Sequence, residues 1–323
     1  MQYKLPYGHD FQKISIPDSY SVEYISEHKT QKPIDVHSEI KKAFSFPLSS
    51  APLHEIVKTG DQVAIIIDDH TRPCPSRLIL PFILSELKKA QVSPNDITLL
   101  IATGTHYPPN KKQLVELLGK EILHKYNIVS NDNKSSEYVS IGRSSFDHEI
   151  KIHRKYVESD VKIILSDIEY HYFAGFGGTR KSILPGIASA DSIEQNHAMM
   201  FDKYAKTGEK DKNPISIEME EALDMIGCDF SIGTVLDKHH QPVGIWTGES
   251  KRVMDEGVKL VNNMFSQRIS KKPDLIITAA DGHPHDINLY QSLKAIHSAA
   301  SIIKQDGKII LSAQCEQGMG NKK

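Results

Sequence analysis

The run GFGGTRKS, residues 175–182, sets Lys181 and Ser182 behind a glycine cluster, much as a phosphate-binding loop does. The pattern G-x-x-x-x-G-K-[ST] needs a glycine where Arg180 stands, and a helix starting at its Lys-Ser whose free N–H groups hold phosphate. Pro185 and Gly186 follow too closely for a regular helix through that point. ATP or GTP hydrolysis is therefore disfavoured. Upstream, Tyr170, His171, Tyr172 and Phe173 lead into the glycines, a composition that lets backbone approach a ligand closely against an apolar wall. The next helix start is read at Asp191, with Glu194 as its capping-box partner, and this helix carries His197.

Two further loops hold groups of the same kind. In DDHTRPCP, residues 68–75, Arg72 could clamp a carboxylate or phosphate through paired hydrogen bonds; a surface turn with an Asp–Arg ion pair is the plainer reading. Ser76 is expected to cap the helix that follows. In GTHYPP, His106 precedes two prolines, and Asn110 can cap the next helix. Each histidine alone reads as a solvated side chain. If His106, His171 and His197 converge, one could bind a metal while two act as acid and base. His148, His153, His239 and His240 lie in polar or amphipathic stretches and are expected at the surface. Near the end, DGHPHDINLYQSLKA puts Tyr290 and Lys294 on one helix face with Gln291 beside them. That is either an amphipathic surface or a hydroxyl, an amide and an ammonium facing a cleft.

Positioning these loops requires strands. Apolar runs occur at 62–67, 97–103, 161–166, 230–236, 274–280 and 307–313, with helical periodicity at 77–90, 111–122, 215–226, 251–265 and 288–303. Near-continuous Val/Ile/Leu strands alternating with amphipathic helices predict an α/β fold with a largely parallel sheet flanked by helices. In such sheets functional groups sit just past the strands' carboxyl ends. The polar stretch 266–274 reads as a linker, giving a first, cofactor-binding domain over 1–265 and the start of a second α/β domain over 266–323. One β-α-β unit cannot bury a core by itself, so the second domain is expected to be incomplete.

Composition narrows the class. The 323 residues are 39% hydrophobic and 25% charged, with net charge −2, which gives no basic excess for nucleic acid or an anionic membrane. Three cysteines without a CxxC pattern fit a reducing cytoplasm rather than a disulfide framework or zinc-thiolate site. No signal peptide or 18-residue apolar span is read.

Taken in order, DDHTRP, GTHYPP, HYFAGFGGTRKSILPG, the NH of the next helix and GHPHDINLYQSLKA resemble the motifs of the nickel-pincer lactate racemase family, from about residue 10 to the end. Members of that family racemise or epimerise 2-hydroxy acids by moving a hydride from the α-carbon and returning it to either face of a keto intermediate. The resemblance implies a cofactor derived from nicotinic acid, a pyridinium mononucleotide with thioamide and thiocarboxylate groups. It would be attached to Lys181 and hold nickel, with His197 as the protein's metal ligand. It implies His106 and His171 as paired acid/base groups and Arg72 as holder of the substrate carboxylate. Gln291 and Lys294 would close over the substrate, with Tyr290 and Phe173 in the apolar wall. Asp69 and the backbone at Gly177 and Gly178 would hold the mononucleotide. Cofactor-synthesis proteins are implied as partners. Tyr107 stands where lactate-specific members commonly have Arg, and Gly177 where Ser is common, so the acid itself is left open. Two other readings stand beside this one: a nucleotide- or phosphate-binding transferase using the Gly-rich loop, and a non-catalytic metal- or ligand-binding relative.

Overall fold

The chain opens on an antiparallel hairpin, β1 (Gln2–Tyr7) and β2 (Asp10–Ser15). There follow β3 (Val63–Asp68), β4 (Ile97–Ala102) and β5 (Asn127–Ser130), then a second hairpin, β6 (Tyr138–Arg143) and β7 (Glu149–His153). Next are β8 (Val161–Asp167), the short pair β9 (Tyr170–His171) and β10 (Gly175–Phe176), β11 (Phe230–Leu236) and β12 (Pro242–Gly248). β13 (Leu275–Ala279) and β14 (Lys308–Ser312) complete the order. This is a computed structural model that describes residues 1–25, 34–133, 137–283 and 285–320.

Six strands form one sheet in the order β12-β11-β8-β3-β4-β5, parallel except for β12. Alternate residues of each strand enter different cores. Val63, Ile65 and Ile67 of β3 pack into one, and Ala64 and Ile66 into the other. Both faces are covered, which is why these strands read as unbroken apolar runs instead of alternating ones. From β3 the chain builds outward through β4 and β5 on one side; β8, β11 and β12 fill the other. The strand order therefore reverses between β3 and β8, and their carboxyl ends flank the crevice where sheets of this kind take ligands.

The expected α/β class and all six expected strands are present, and the helices differ in detail. The helical stretch at 111–122 breaks at Gly119, whose φ is 88°, into Lys111–Leu118 and Lys120–Lys125. Asn110 caps it in a full capping box with Gln113. Ser76 is not a cap: Pro75 holds that position, and the buried Ser76 hydroxyl has no well-formed hydrogen bond among the described residues. Proline at 75 leaves the serine inside the first turn, where its oxygen cannot turn back to the free N–H groups. The helix carrying His197 runs Ala190–Ala198 and is capped by Ser189, whose hydroxyl accepts from the Ser192 N–H, so Asp191 lies in the first turn. There its charge still complements the helix dipole. His148 and His153 are not surface residues. His153 is buried, and His148 Nδ1 lies 2.8 Å from buried Glu218.

Contacts divide the chain into Lys29–Ser266 and a smaller unit made of Met1–His28 with Gln267–Lys323. Division at a linker near 266 gave the N-terminal segment to the first domain, whereas here it packs with the last segment. Asp286 is the reason. Its buried carboxylate accepts from Gly8 N–H at 2.7 Å and Gln314 N–H at 3.0 Å, and Gly8 O accepts from the His283 N–H. No periodicity signals a pairing so distant in sequence.

Candidate active site

The loops after β3, β4 and β8 build the site in the larger unit. Asp69, 1% exposed, accepts from the Thr71 N–H at 3.1 Å and the Thr71 hydroxyl at 2.6 Å. Its other oxygen lies 2.7 Å from His106 Nδ1. Burial works against its charge, but the His106 hydrogen bond and charge, the Thr71 hydroxyl and Arg72 together hold the carboxyl below the usual range. A carboxylate can only accept, so Nδ1 of His106 carries a proton, and in the neutral ring Nε2 presents its lone pair. The half-open His106 loop is tied down by Gly104 N–H donating to Gly186 O at 3.0 Å.

His171 sits on the short hairpin, paired with Gly175 across it. The Ala174 N–H donates to His171 Nδ1 at 3.2 Å. Tyr172 stacks on its ring at 5.1 Å and Phe173 meets it edge-on at 4.6 Å. Phe173 also meets His197 at 5.0 Å, so one aromatic ring spaces the two imidazoles. The glycines downstream serve the chain's own packing. Gly175 has φ 79°, and a Cβ there would lie 2.0 Å from Glu209 O. At Gly178, with φ 92°, it would lie 2.7 Å from Ile168 Cγ1.

Lys181 stands on a single helical turn, Arg180–Ile183, which ends at a cis Leu184–Pro185 bond. The longer helix of a phosphate loop is absent here, as Pro185 foretold. Burial and then the Arg72 charge lower the Lys181 ammonium to about 8, against the pull of Glu169, Asp68 and Asp167. Arg180 points the other way and is fully buried, donating to Ser216 Oγ at 3.1 Å with its Nε 3.7 Å from Glu220. It fastens the lysine turn to the helix Pro214–Ile226. Arg72 stays firmly charged: burial opposes it, but Glu169, Asp167, Asp69 and Asp68 surround it.

Asp68 and Asp167 end neighbouring strands β3 and β8. Asp68 accepts from the Asp167 N–H at 3.1 Å and from the Ser182 hydroxyl at 3.2 Å. Burial raises both carboxyls, Asp167 well above the usual range with Glu169 and Asp68 adding to it. Two carboxyls placed side by side away from water resist being charged together. His197 is kept neutral: burial and then the Lys181 charge lower it to about 4. Its Nδ1 is buried and, among the described residues, makes no well-formed hydrogen bond, although the Ile193 backbone one turn back acts on it weakly. The preceding Asn196 donates to buried Glu218 at 2.8 Å, holding that helix against Pro214–Ile226.

The structure thus links His106, Asp69, Arg72, Lys181, His197, Phe173 and His171 through successive contacts and charges. Gly177 and Gly178 lie just before them, Gly177 N–H donating to Glu169 O at 2.8 Å. Tyr290, Gln291 and Lys294 lie in the smaller unit, on the first turns of the helix Leu289–Ala300 capped by Asn288. Sequence reading missed Asp68, Asp167 and Glu169, although all three stand at or just past strand ends, and it missed the anchoring role of Arg180. A cavity of about 670 Å³ lined by Leu114, Leu123, His124 and Tyr126 lies by β5 and contains none of these groups.

Strand-end loops carrying a histidine–carboxylate pair, a second histidine and a half-buried amine are the equipment of an α/β acid–base enzyme. Residues 7–208 match the lactate racemase N-terminal domain and 269–323 the lactate racemase C-terminal domain. The chain is 33% identical to lactate racemase of Thermoanaerobacterium thermosaccharolyticum over 99% of its length, and 32% identical to that of Lactiplantibacillus plantarum over 98%. In both cases it spans 76% of the relative. The solved lactate racemase apoprotein from T. thermosaccharolyticum matches with a TM-score of 0.90 at 31% identity, covering 100% of this chain and 76% of that one. A Thermotoga maritima protein shares the fold alone, with a TM-score of 0.61 at 18% identity over 80% of this chain and 67% of that one. The chain belongs to the lactate racemase family, and its class is that of the isomerases. Among the described residues no helix is long and apolar enough to cross a membrane.

Proposed function

We propose that this protein racemises or epimerises a 2-hydroxy acid with a nickel-pincer mononucleotide held on Lys181. The observation that carries the proposal is the half-buried Lys181 on its single helical turn, its ammonium lowered to about 8, together with the neutral His197 that its charge helps to lower. A free amine is what covalent attachment needs, and a neutral imidazole is what a metal needs. Among the described residues no three His, Cys, Asp or Glu side chains converge as a metal site. One protein ligand, with the rest supplied by the cofactor, fits that arrangement. When bound, the group supplies a reversible acceptor for the α-hydrogen with its electron pair.

The chain's own residues do the rest. Arg72 orients the substrate carboxylate, its charge secured by the surrounding acids. His106 takes the hydroxyl proton at Nε2, and Asp69 holds the ring and balances the charge it gains. His171 serves the hydroxyl in the other enantiomer, and Phe173 keeps water from the space between the imidazoles. In this reading Gly177, Gly178 and Asp69 border the mononucleotide. Cofactor-synthesis proteins, acting in the cytoplasm, load Lys181.

Two measurements test this. After co-expression with cofactor-synthesis proteins, intact mass should show an adduct that Lys181→Ala abolishes. The loaded protein should racemise an α-deuterated 2-hydroxy acid while keeping the label on the α-carbon. Absence of both adduct and nickel, or loss of the label to water, would rule the reading out.

A further inference from the structure

We infer that the two histidines rest in opposite tautomers, with His106 as the base of the resting enzyme and His171 as a hydrogen-bond donor. This rests on the proposed function and adds an asymmetry to it: one enantiomer enters turnover directly and the other must first reset His171.

The neighbours of each Nδ1 decide the tautomers. At His106 the neighbour is Asp69 Oδ2, at 2.7 Å, on a carboxylate whose other oxygen accepts twice from Thr71. An acceptor there requires a proton on Nδ1, which leaves the Nε2 lone pair for a substrate hydroxyl. At His171 the neighbour is the Ala174 N–H, at 3.2 Å, which can only donate. Nδ1 of His171 therefore holds the lone pair, and in the neutral ring Nε2 holds the proton. The ring is not free to trade places. Tyr172 stacks on it, Phe173 abuts it, and His171 is paired with Gly175 across the hairpin. Turning it over would put Cδ2 against the Ala174 N–H and leave that donor unpaired.

A nitrogen that already carries hydrogen cannot take the hydroxyl proton. His171 can orient a hydroxyl, but it becomes a base only by moving its proton to Nδ1 and breaking the bond from Ala174. Proton balance gives the same result. In one passage the substrate proton goes to His106 Nε2, the His171 Nε2–H steadies the product oxygen by a hydrogen bond, and that oxygen takes its proton from water. His106 then gives its proton to the hydroxide left behind, so both rings return to their resting forms. For a racemase, whose two substrates are equal in energy, kcat/KM must be equal in both directions. The asymmetry therefore shows as kcat and KM differing by the same factor between enantiomers.

The test is 15N NMR of the histidine-labelled protein in mildly alkaline buffer, with signals assigned by their loss in His106→Gln and His171→Gln. His106 should show a protonated Nδ1 and a bare Nε2, and His171 the reverse. Asp69→Ala should move His106 to the Nε2–H form and leave His171 unchanged. The same tautomer in both rings, or a protonated Nδ1 on His171, overturns the inference. So does an Asp69→Ala spectrum in which His106 keeps its form. If Asp69→Ala does not fold, the wild-type spectrum decides alone. These spectra need neither cofactor nor turnover. Opposite tautomers without racemisation would sink the functional reading only, and racemisation with matching tautomers would sink this one only.

Discussion

A lysine amine attacks only after losing its proton, and Lys181 loses it early. With its folded value at about 8 and the ordinary value at 10.5, the unfolded chain binds more protons between those limits. Lys181 therefore opposes folding fully below about pH 8, and that penalty fades as pH rises toward 10.5. Limited acylation read by peptide mass mapping should give Lys181 a midpoint near pH 8, with Arg72→Met raising it. A Lys181 midpoint at the ordinary lysine value of about 10.4 would refute the environment described here. His106 and His171 were legible because each follows an apolar strand run within a few residues, and Lys181 because it stands directly behind a glycine cluster. The acids that tune Lys181 were not. Asp68 and Asp167 lie 99 positions apart, and only the adjacency of β3 and β8 makes them a pair.

At the scale of elements, the helix bearing His197 is held by a carboxylate buried in its neighbour. Glu218, 1% exposed, accepts from the Ser144 hydroxyl at 2.6 Å and from Asn196 Nδ2 at 2.8 Å, and lies 2.8 Å from His148 Nδ1. Removing it strands several buried polar groups at once. Glu218→Ala should lower stability in urea unfolding by about 3 kcal/mol, and Glu218→Gln by less. A loss for Glu218→Ala within ~0.5 kcal/mol, as for an ordinary surface site, would contradict this role. Helical periodicity announced Pro214–Ile226 but not this glutamate's burial, because a polar residue on an apolar stripe reads as an interruption until its partners are known. His148 was read as solvated for the same reason.

At the scale of the whole molecule, each unit has its own fastening. In the smaller one, Asp286 joins the turn after β1 to the exit of β14. Asp286→Ala should speed hydrogen exchange at the amides of Gly8 and Gln314, while amides of β3 and β8 in the larger unit keep their protection. Loss of protection in both units together would show that they open as one. The sequence by itself determined the α/β class, the strand runs and the loops that hold the histidines and Lys181, because burial on both sheet faces and chain punctuation are local properties of composition. Tertiary structure alone decided which carboxylates meet those groups, which way each imidazole holds its proton, and that the N-terminal hairpin packs with the C-terminal segment. Those outcomes depend on strand order and on contacts between residues tens to hundreds of positions apart, which no local pattern encodes.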